Sequence, residues 1–340
     1  MTISGWLIQL FALLAAAILS AVITSAIRPL LLRHALAKPN ARSSHRIPTP
    51  QGAGVAVIAA TLVVAGAVMV YAGSWAGASD LKLPVAVFAA ALFVAIVGFA
   101  DDIKPIGVLP RLLLQAAAVS IIVCTSSSDF RITSACPLWI ERGLLVLAGL
   151  WFVNLVNFMD GLDWMTVAEV VPITAAMIML GALGELPVTA TIIAAALCGA
   201  MLGFAPFNRP VAKIFLGDVG SLPIGLLLGW CLLQLAYRQQ FAATLLLPLY
   251  YLADATVTLL RRLVRGEAFW AAHRSHFYQR ATNNGFTVLG VVREVFVLNV
   301  GLAVLAIAST YAHSAAIDVA FLIIGGIGVA LTMFRFSRPA

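Results

Sequence analysis

Carboxylates in a chain that is otherwise apolar point first to chemistry. Of 340 residues 62% are hydrophobic and only 14 are acidic. Eight of those 14 fall at or near the ends of apolar stretches: Asp101, Asp102, Asp160, Asp163, Glu169, Asp218, Asp254 and Glu267. An ionised side chain inside a bilayer costs about 2.5–3.5 kcal/mol on insertion scales, so such residues do not gather by chance. A ring of them at a membrane surface, close to basic residues, suits Mg²⁺ and phosphate chemistry.

Five segments concentrate these groups. Ser44 to Gly54 carries His45 and Arg46, donors suited to a phosphate, ahead of prolines and glycines that set a rigid turn. Alone it reads first as a basic loop before a helix. Gly98 to Lys104 holds Asp101 and Asp102, which repel each other unless a cation or proton intervenes. The pair reads as a metal site or a general base, since a plain helix cap needs only one Asp. In Asn154 to Asp163 a spacing of three puts Asn154, Asn157, Asp160 and Asp163 near one face if the helix continues, with Gly161 loosening its end. Phe215 to Ser221 offers two glycines for close backbone approach and Ser221 as a helix cap. Asp218 in that segment sits where a helix N-terminus also attracts anions. The stretch from His273 to Arg280 brings His273, Arg274 and His276 into one hydrophilic loop, able to clamp a diphosphate and neutralise transition-state charge. Zinc is the lesser alternative there, because no third His or Cys stands nearby.

These groups need elements to hold them. Charged residues are 10% of the chain, far below the quarter or so of a soluble domain, so the expected class is an all-α polytopic membrane protein. A crossing takes about 20 apolar residues. Eleven stretches qualify, roughly 3–32, 52–71, 83–99, 109–124, 139–156, 166–183, 187–207, 222–237, 241–260, 287–312 and 315–334, with the fourth and eighth short. No repeat and no long linker divides them, so residues 1–340 read as one domain. No basic segment precedes the first stretch, whose first basic residue is Arg28, and it reads as a retained span. With eleven spans, sixteen of the 21 Lys and Arg share one face with the C-terminus, four lie opposite, and Arg293 is within the tenth span. The positive-inside rule makes the sixteen-residue face cytoplasmic and puts the N-terminus outside. All five motifs fall on that same face. The net charge of +7 then reports loop orientation and anionic headgroups, not nucleic acid. Four scattered cysteines form no metal spacing.

In this order, from about Arg42 to Arg280, the motifs resemble those of the polyprenyl-phosphate N-acetylhexosamine-1-phosphate transferases. That integral membrane superfamily includes the peptidoglycan lipid translocase and the enzymes that begin O-antigen, common antigen and teichoic acid assembly. The resemblance implies transfer of a sugar-1-phosphate from a UDP-sugar to undecaprenyl phosphate on the cytoplasmic leaflet of a bacterial inner membrane, with release of UMP. It further implies Mg²⁺, or Mn²⁺, and a surrounding of membrane lipids, and it leaves a homodimer open. By the same resemblance Asp218 is the principal metal ligand, joined by Asp101, Asp160 and Asn157. Asp101 and Asp102 stand near the lipid phosphate, one as base or positioning group, so that Asp101, Asp102, Asp160 and Asp218 form the catalytic set. Asn154 and Asn157 line the substrate region, and Asp163 faces the nucleoside. His273, Arg274 and His276 grip the diphosphate and sugar, and His45 supplies a further phosphate donor. The chain departs from the family at Trp164, where a glycine is usual, and at Gly52-Ala53-Gly54, where a glycine pair is usual. Its last loop looks more like the O-antigen-initiating branch, which favours UDP-GlcNAc or a deoxy relative such as UDP-FucNAc or UDP-QuiNAc. The alternative within the family is UDP-MurNAc-pentapeptide. The rival from another class is an ion-coupled transporter, which would place ionisable residues near span centres. Most of those here lie at span ends; Arg293 and Glu294 are the exceptions.

Overall fold

In hydrocarbon a backbone must satisfy its own hydrogen bonds, and a helix does so within one segment. The computed structural model describes residues 3–37, 48–71, 82–268, 273–312 and 314–340. Nine of its helices are long and apolar enough to cross a membrane. They are α1 (Ile3–His34), α2 (Gly54–Tyr71), α3 (Lys82–Ile103), α4 (Val108–Thr125), α5 (Leu138–Met159), α6 (Met165–Ala182), α8 (Asp218–Tyr237), α12 (Val288–Ala312) and α13 (Ala315–Phe336). A further apolar helix, α7 (Val188–Phe204), has 17 residues. The chain is an all-α polytopic membrane protein.

The stretch read as a ninth span is not one helix. α9 (Phe241–Leu246) ends and α10 (Leu249–Val264) begins around Pro248. Proline lacks an N–H and its ring crowds the turn before it, so the ladder breaks there. α10 is the amphipathic half, and its last turn carries Arg261 and Arg262. After it comes the short α11 (Phe277–Asn283).

The core lies along α7 and α8. α8 is almost wholly buried, whereas most of α1 and of α13 is not, which leaves these two helices on the outside. α7 packs against α1, α2 and α6, and α8 against α3 and α5. Small residues make these seams possible, as expected where helices associate by packing instead of by water exclusion. A side chain at Gly199 or Gly203 would strike the α1 carbonyls of Leu13 and Ala17. One at Gly54 would strike the Gly220 backbone, and one at Gly98 the Asp218 carbonyl. The last two contacts bring the ends of α2 and α3 against the start of α8.

A short hairpin, which the apolar pattern does not show, completes that junction. β1 (Leu36–Ala37) pairs antiparallel with β2 (Thr49–Pro50), Leu36 opposite Pro50 and Ala37 opposite Thr49. Residues 38–47, and with them His45, lie outside the described residues. The chain after β2 is stitched to the loop before α8. Phe215 N–H donates to the Pro50 carbonyl at 2.8 Å, Gly52 N–H to Phe215 O at 3.1 Å, and Gly54 N–H to Leu216 O at 2.8 Å. Thus the first and fourth motifs, some 160 residues apart in sequence, form one strand-like contact.

Candidate active site

The two neighbouring aspartates at the end of α3 have separate surroundings. Asp102 faces the start of α8: its Oδ1 accepts the Asp218 N–H at 2.9 Å and its Oδ2 the Val219 N–H at 3.1 Å. The Gln51 side-chain amide donates to the same Oδ1. A carboxylate on the first free amides of a helix satisfies orphan donors and meets the positive end of the helix dipole. Asp102 therefore caps α8 from another helix, with Gly217 at φ +79° leaving room for its Oδ2. Ser221, expected as that cap, is buried in the first turn, because α8 begins three residues earlier, at Asp218.

Asp101 faces the opposite way. It accepts the Ile106 N–H at 2.5 Å and the Arg111 guanidinium at 2.7 Å. Arg111 Nη1 also stands 3.6 Å from Asp218 Oδ2. Arg111 thus bridges Asp101 and Asp218, whose carboxyls act on each other electrostatically, and Asn157 lies beside Asp218. Two carboxylates so placed need a shared proton or a cation between them. Arg111, in the first turn of α4, supplies part of that positive charge. In the sequence Arg111 is one of the sixteen basic residues of the cytoplasmic face, and its one further signal is its place ten residues after Asp101.

The Asn154–Asp163 run does not stay on one helical face, because α5 ends at Met159 with Asp160 as its C-cap. Its four polar groups accordingly diverge. Asn154 is buried and donates to Gln115 Oε1 of α4 at 2.7 Å, tying two helices together. Asn157 reaches Asp218. Asp160 accepts the Thr166 hydroxyl at 2.5 Å. Burial pushes the Asp160 carboxyl up to about 6; the Thr166 hydrogen bond opposes this, and the charges of Asp102 and Asp163 add to it. Asp163 is buried and accepts the Ala212 N–H at 3.0 Å, anchoring the loop between α7 and α8. Trp164 holds a left-handed backbone at φ +64°, the conformation a glycine adopts freely. Its N–H donates to Asn208 Oδ1 at 2.7 Å and its indole N–H to Ala205 O at 2.6 Å, so the ring is tied to that same loop.

The basic loop docks beside the end of α5. His276 is buried, stacks on Phe158 with ring centroids 6.3 Å apart, and lies 4.9 Å from His273. Tyr278 hydroxyl donates to the Phe158 carbonyl at 2.9 Å. Arg274 shares the electrostatic surroundings of Tyr278. Two of the eight conspicuous carboxylates sit deeper than expected. Glu169 is buried in α6 and accepts Asn299 Nδ2 of α12 at 2.5 Å. Asp254 is fully buried in α10, beneath the loop.

Among the described residues no three acidic, His or Cys side chains converge as a metal site. The donor set is smaller: Asp101 and Asp218, bridged by Arg111, with Asn157 beside Asp218. Mg²⁺ commonly takes one or two carboxylates and completes its shell with water and substrate phosphates, and these residues fit that habit.

Carboxylates, an amide and a guanidinium, groups whose chemistry suits phosphates, thus meet where apolar spans end in a polytopic membrane protein. Residues 84–236, which hold every one of these groups except those of the hairpin and the basic loop, match the model of glycosyl transferase family 4. It is similar to the decaprenyl-phosphate N-acetylglucosaminephosphotransferase of Mycobacterium tuberculosis, 27% identical over 95% of this chain and 88% of the relative. It is also similar to a probable undecaprenyl-phosphate N-acetylglucosaminyl 1-phosphate transferase of Bacillus subtilis, 25% identical over 72% of this chain and 69% of the relative. A phospho-N-acetylmuramoyl-pentapeptide-transferase of Streptococcus thermophilus is 38% identical over 32% of this chain and 31% of its own.

Proposed function

We propose that this protein transfers an N-acetylhexosamine-1-phosphate from a UDP-sugar to a polyprenyl phosphate, undecaprenyl phosphate in the simplest case, to begin a cell-envelope polysaccharide. The observation that carries this reading is the junction of Asp101, Asp218, Asn157 and Arg111, where four helix ends meet. An oxygen of the lipid phosphate attacks the sugar-bearing phosphorus of the UDP-sugar. A P–O bond forms there, the bond to the bridging oxygen breaks, and its electron pair leaves with UMP. Asp218, Asp101 and Asn157, with Asp160 past the end of α5 as a further oxygen donor, would hold Mg²⁺, which would supply charge neutralisation for the phosphates. Arg111 is placed to pass from carboxylate to phosphate, since a guanidinium serves both equally well. His273, Arg274 and His276 meet the diphosphate from the α11 side.

N-acetylglucosamine, or a deoxy relative such as FucNAc or QuiNAc, is the sugar we favour over MurNAc-pentapeptide. Two N-acetylglucosamine-phosphate transferases align with most of this chain, the pentapeptide transferase with a third of it. The count of basic residues supports a cytoplasmic position for the site, and the likeness of the last loop to the O-antigen-initiating branch supports an initiating role on that leaflet.

The test is a panel of UDP-sugars with undecaprenyl phosphate and the detergent-solubilised protein, the lipid product identified by mass spectrometry. UMP and a lipid diphosphate sugar are expected with UDP-GlcNAc or a deoxy relative. EDTA should abolish turnover, and Mg²⁺ or Mn²⁺ restore it. Asp218→Asn should keep the fold and lose nearly all turnover. Absence of UMP with every UDP-N-acetylhexosamine removes the proposal.

A further inference from the structure

The basic loop owes its position to a carboxylate that no motif contains. Asp254 is fully buried in α10 and is surrounded by donors. Its Oδ1 meets His276 Nδ1 at 3.1 Å, the Phe277 N–H at 3.0 Å and the Thr258 hydroxyl at 3.3 Å. Its Oδ2 accepts the Tyr278 N–H and the Tyr250 hydroxyl, each at 3.1 Å. A carboxylate offers about four lone-pair sites, so five donors use its whole accepting capacity. Two of them are N–H groups at the start of α11, which has no side-chain cap of its own.

We propose that Asp254 is the positioning residue of the basic loop: it holds the hydrogen of His276 on Nδ1 and thereby makes Nε2 the nitrogen offered to substrate. Because every other neighbour of Asp254 Oδ1 donates, the oxygen must act as acceptor toward the imidazole as well. This fixes both tautomer and ring plane, as a partner on one ring nitrogen does for the other. The same carboxylate sets Tyr278, whose hydroxyl grips the Phe158 carbonyl between Asn157 and Asp160. Asp254 therefore registers the cationic loop of α11 against the carboxylate end of α5. No space remains to shift that contact, since a side chain at Gly161 would strike the Tyr278 hydroxyl. A buried acid lodged in the amphipathic helix beneath the loop is costly unless it is fully hydrogen-bonded, and here it is.

The role of His276 toward a diphosphate rests on the proposed transferase reading; the tautomer does not. Nitrogen NMR of the histidine-labelled full chain in detergent, with His276 identified by its loss in His276→Gln, should show neutral His276 protonated on Nδ1. A hydrogen on Nε2 overturns the assignment. This spectrum needs no substrate and no substitution at Asp254, so it decides even where Asp254→Asn fails to fold. It also separates failure of this inference from failure of the transferase reading. In the transferase assay Asp254→Asn should lower kcat/KM by about 10–100-fold, the usual loss when a partner that orients a histidine is removed. It should have little further effect on His276→Ala. An equal loss in both backgrounds would mean that Asp254 merely holds helices together, and the positioning role falls.

Discussion

Asp160 stands just past the end of α5, and its carboxyl is raised from an ordinary 3.8 to about 6 chiefly by burial. A carboxyl raised on folding binds its proton more tightly in the folded state, so its contribution opposes the fold as pH climbs from about 4 to about 6. The metal-free protein should therefore lose thermal stability across that window, and Asp160→Asn should flatten the loss. Added Mg²⁺ should raise the unfolding temperature more at pH 7 than at pH 5; equal rises would separate the cation from Asp160. In the basic loop, Arg274→Ala should lower kcat/KM by about 10²–10³-fold, the usual loss of one electrostatic donor in a dry site. Arg274→Lys should restore only part, because an ammonium lacks the guanidinium fork. Arg335→Ala is the control: its side chain is 65% exposed and pairs with Glu294 at 3.2 Å, a surface contact worth about 0–1 kcal/mol. Similar small effects at both positions would reduce the loop to a patch for lipid headgroups. At this scale residue type was legible in the sequence and direction was not. Asp101 and Asp102 are neighbours, yet one turns to Arg111 and the other to the α8 amides, which only the helix ends around them decide.

Among the elements, α8 depends on a cap borrowed from α3. Asp102→Ala should destabilise the protein by about 0.5–2 kcal/mol, the range for a lost N-cap. Asp102→Asn, which keeps one accepting oxygen, should cost less. Denaturant titration in detergent checks both, and an unchanged midpoint for Asp102→Ala would show that the α8 amides find other acceptors. The apolar runs announced ten of the eleven expected spans as single helices, because composition alone decides which segments prefer lipid. The break at Pro248 and the stop at Met159 were harder to read. A proline in an apolar run is tolerated inside α6 at Pro172 and inside α8 at Pro223, so its presence does not by itself end a helix. Asp254 was visible as an acid in an apolar stretch, but its five donors come from α10 itself and from residues 22–24 positions further on. In the sequence Trp164 shows only as a tryptophan where the resembled family usually has glycine. That its backbone is left-handed, and its indole bonded to Ala205, depends on a loop some forty residues away.

For the whole molecule the sequence predicts one orientation, with sixteen basic residues and all five motifs on the cytoplasmic side. Single cysteines at positions 40 and 265, in a background without the native four, should both be protected from a membrane-impermeant reagent in intact cells and label after permeabilisation. Labelling of either from outside reverses the topology and moves the site to the other leaflet. The seam between α1 and α7 bears on how such a molecule is made. Gly199 and Gly203 sit against the carbonyls of Leu13 and Ala17, so α1 waits during synthesis for a partner nearly two hundred residues behind it. At about 5–20 residues per second that is a delay of roughly 10–40 s. During that time α1 rests in the bilayer packed chiefly against α2, and the lipid holds open the place that α7 later takes.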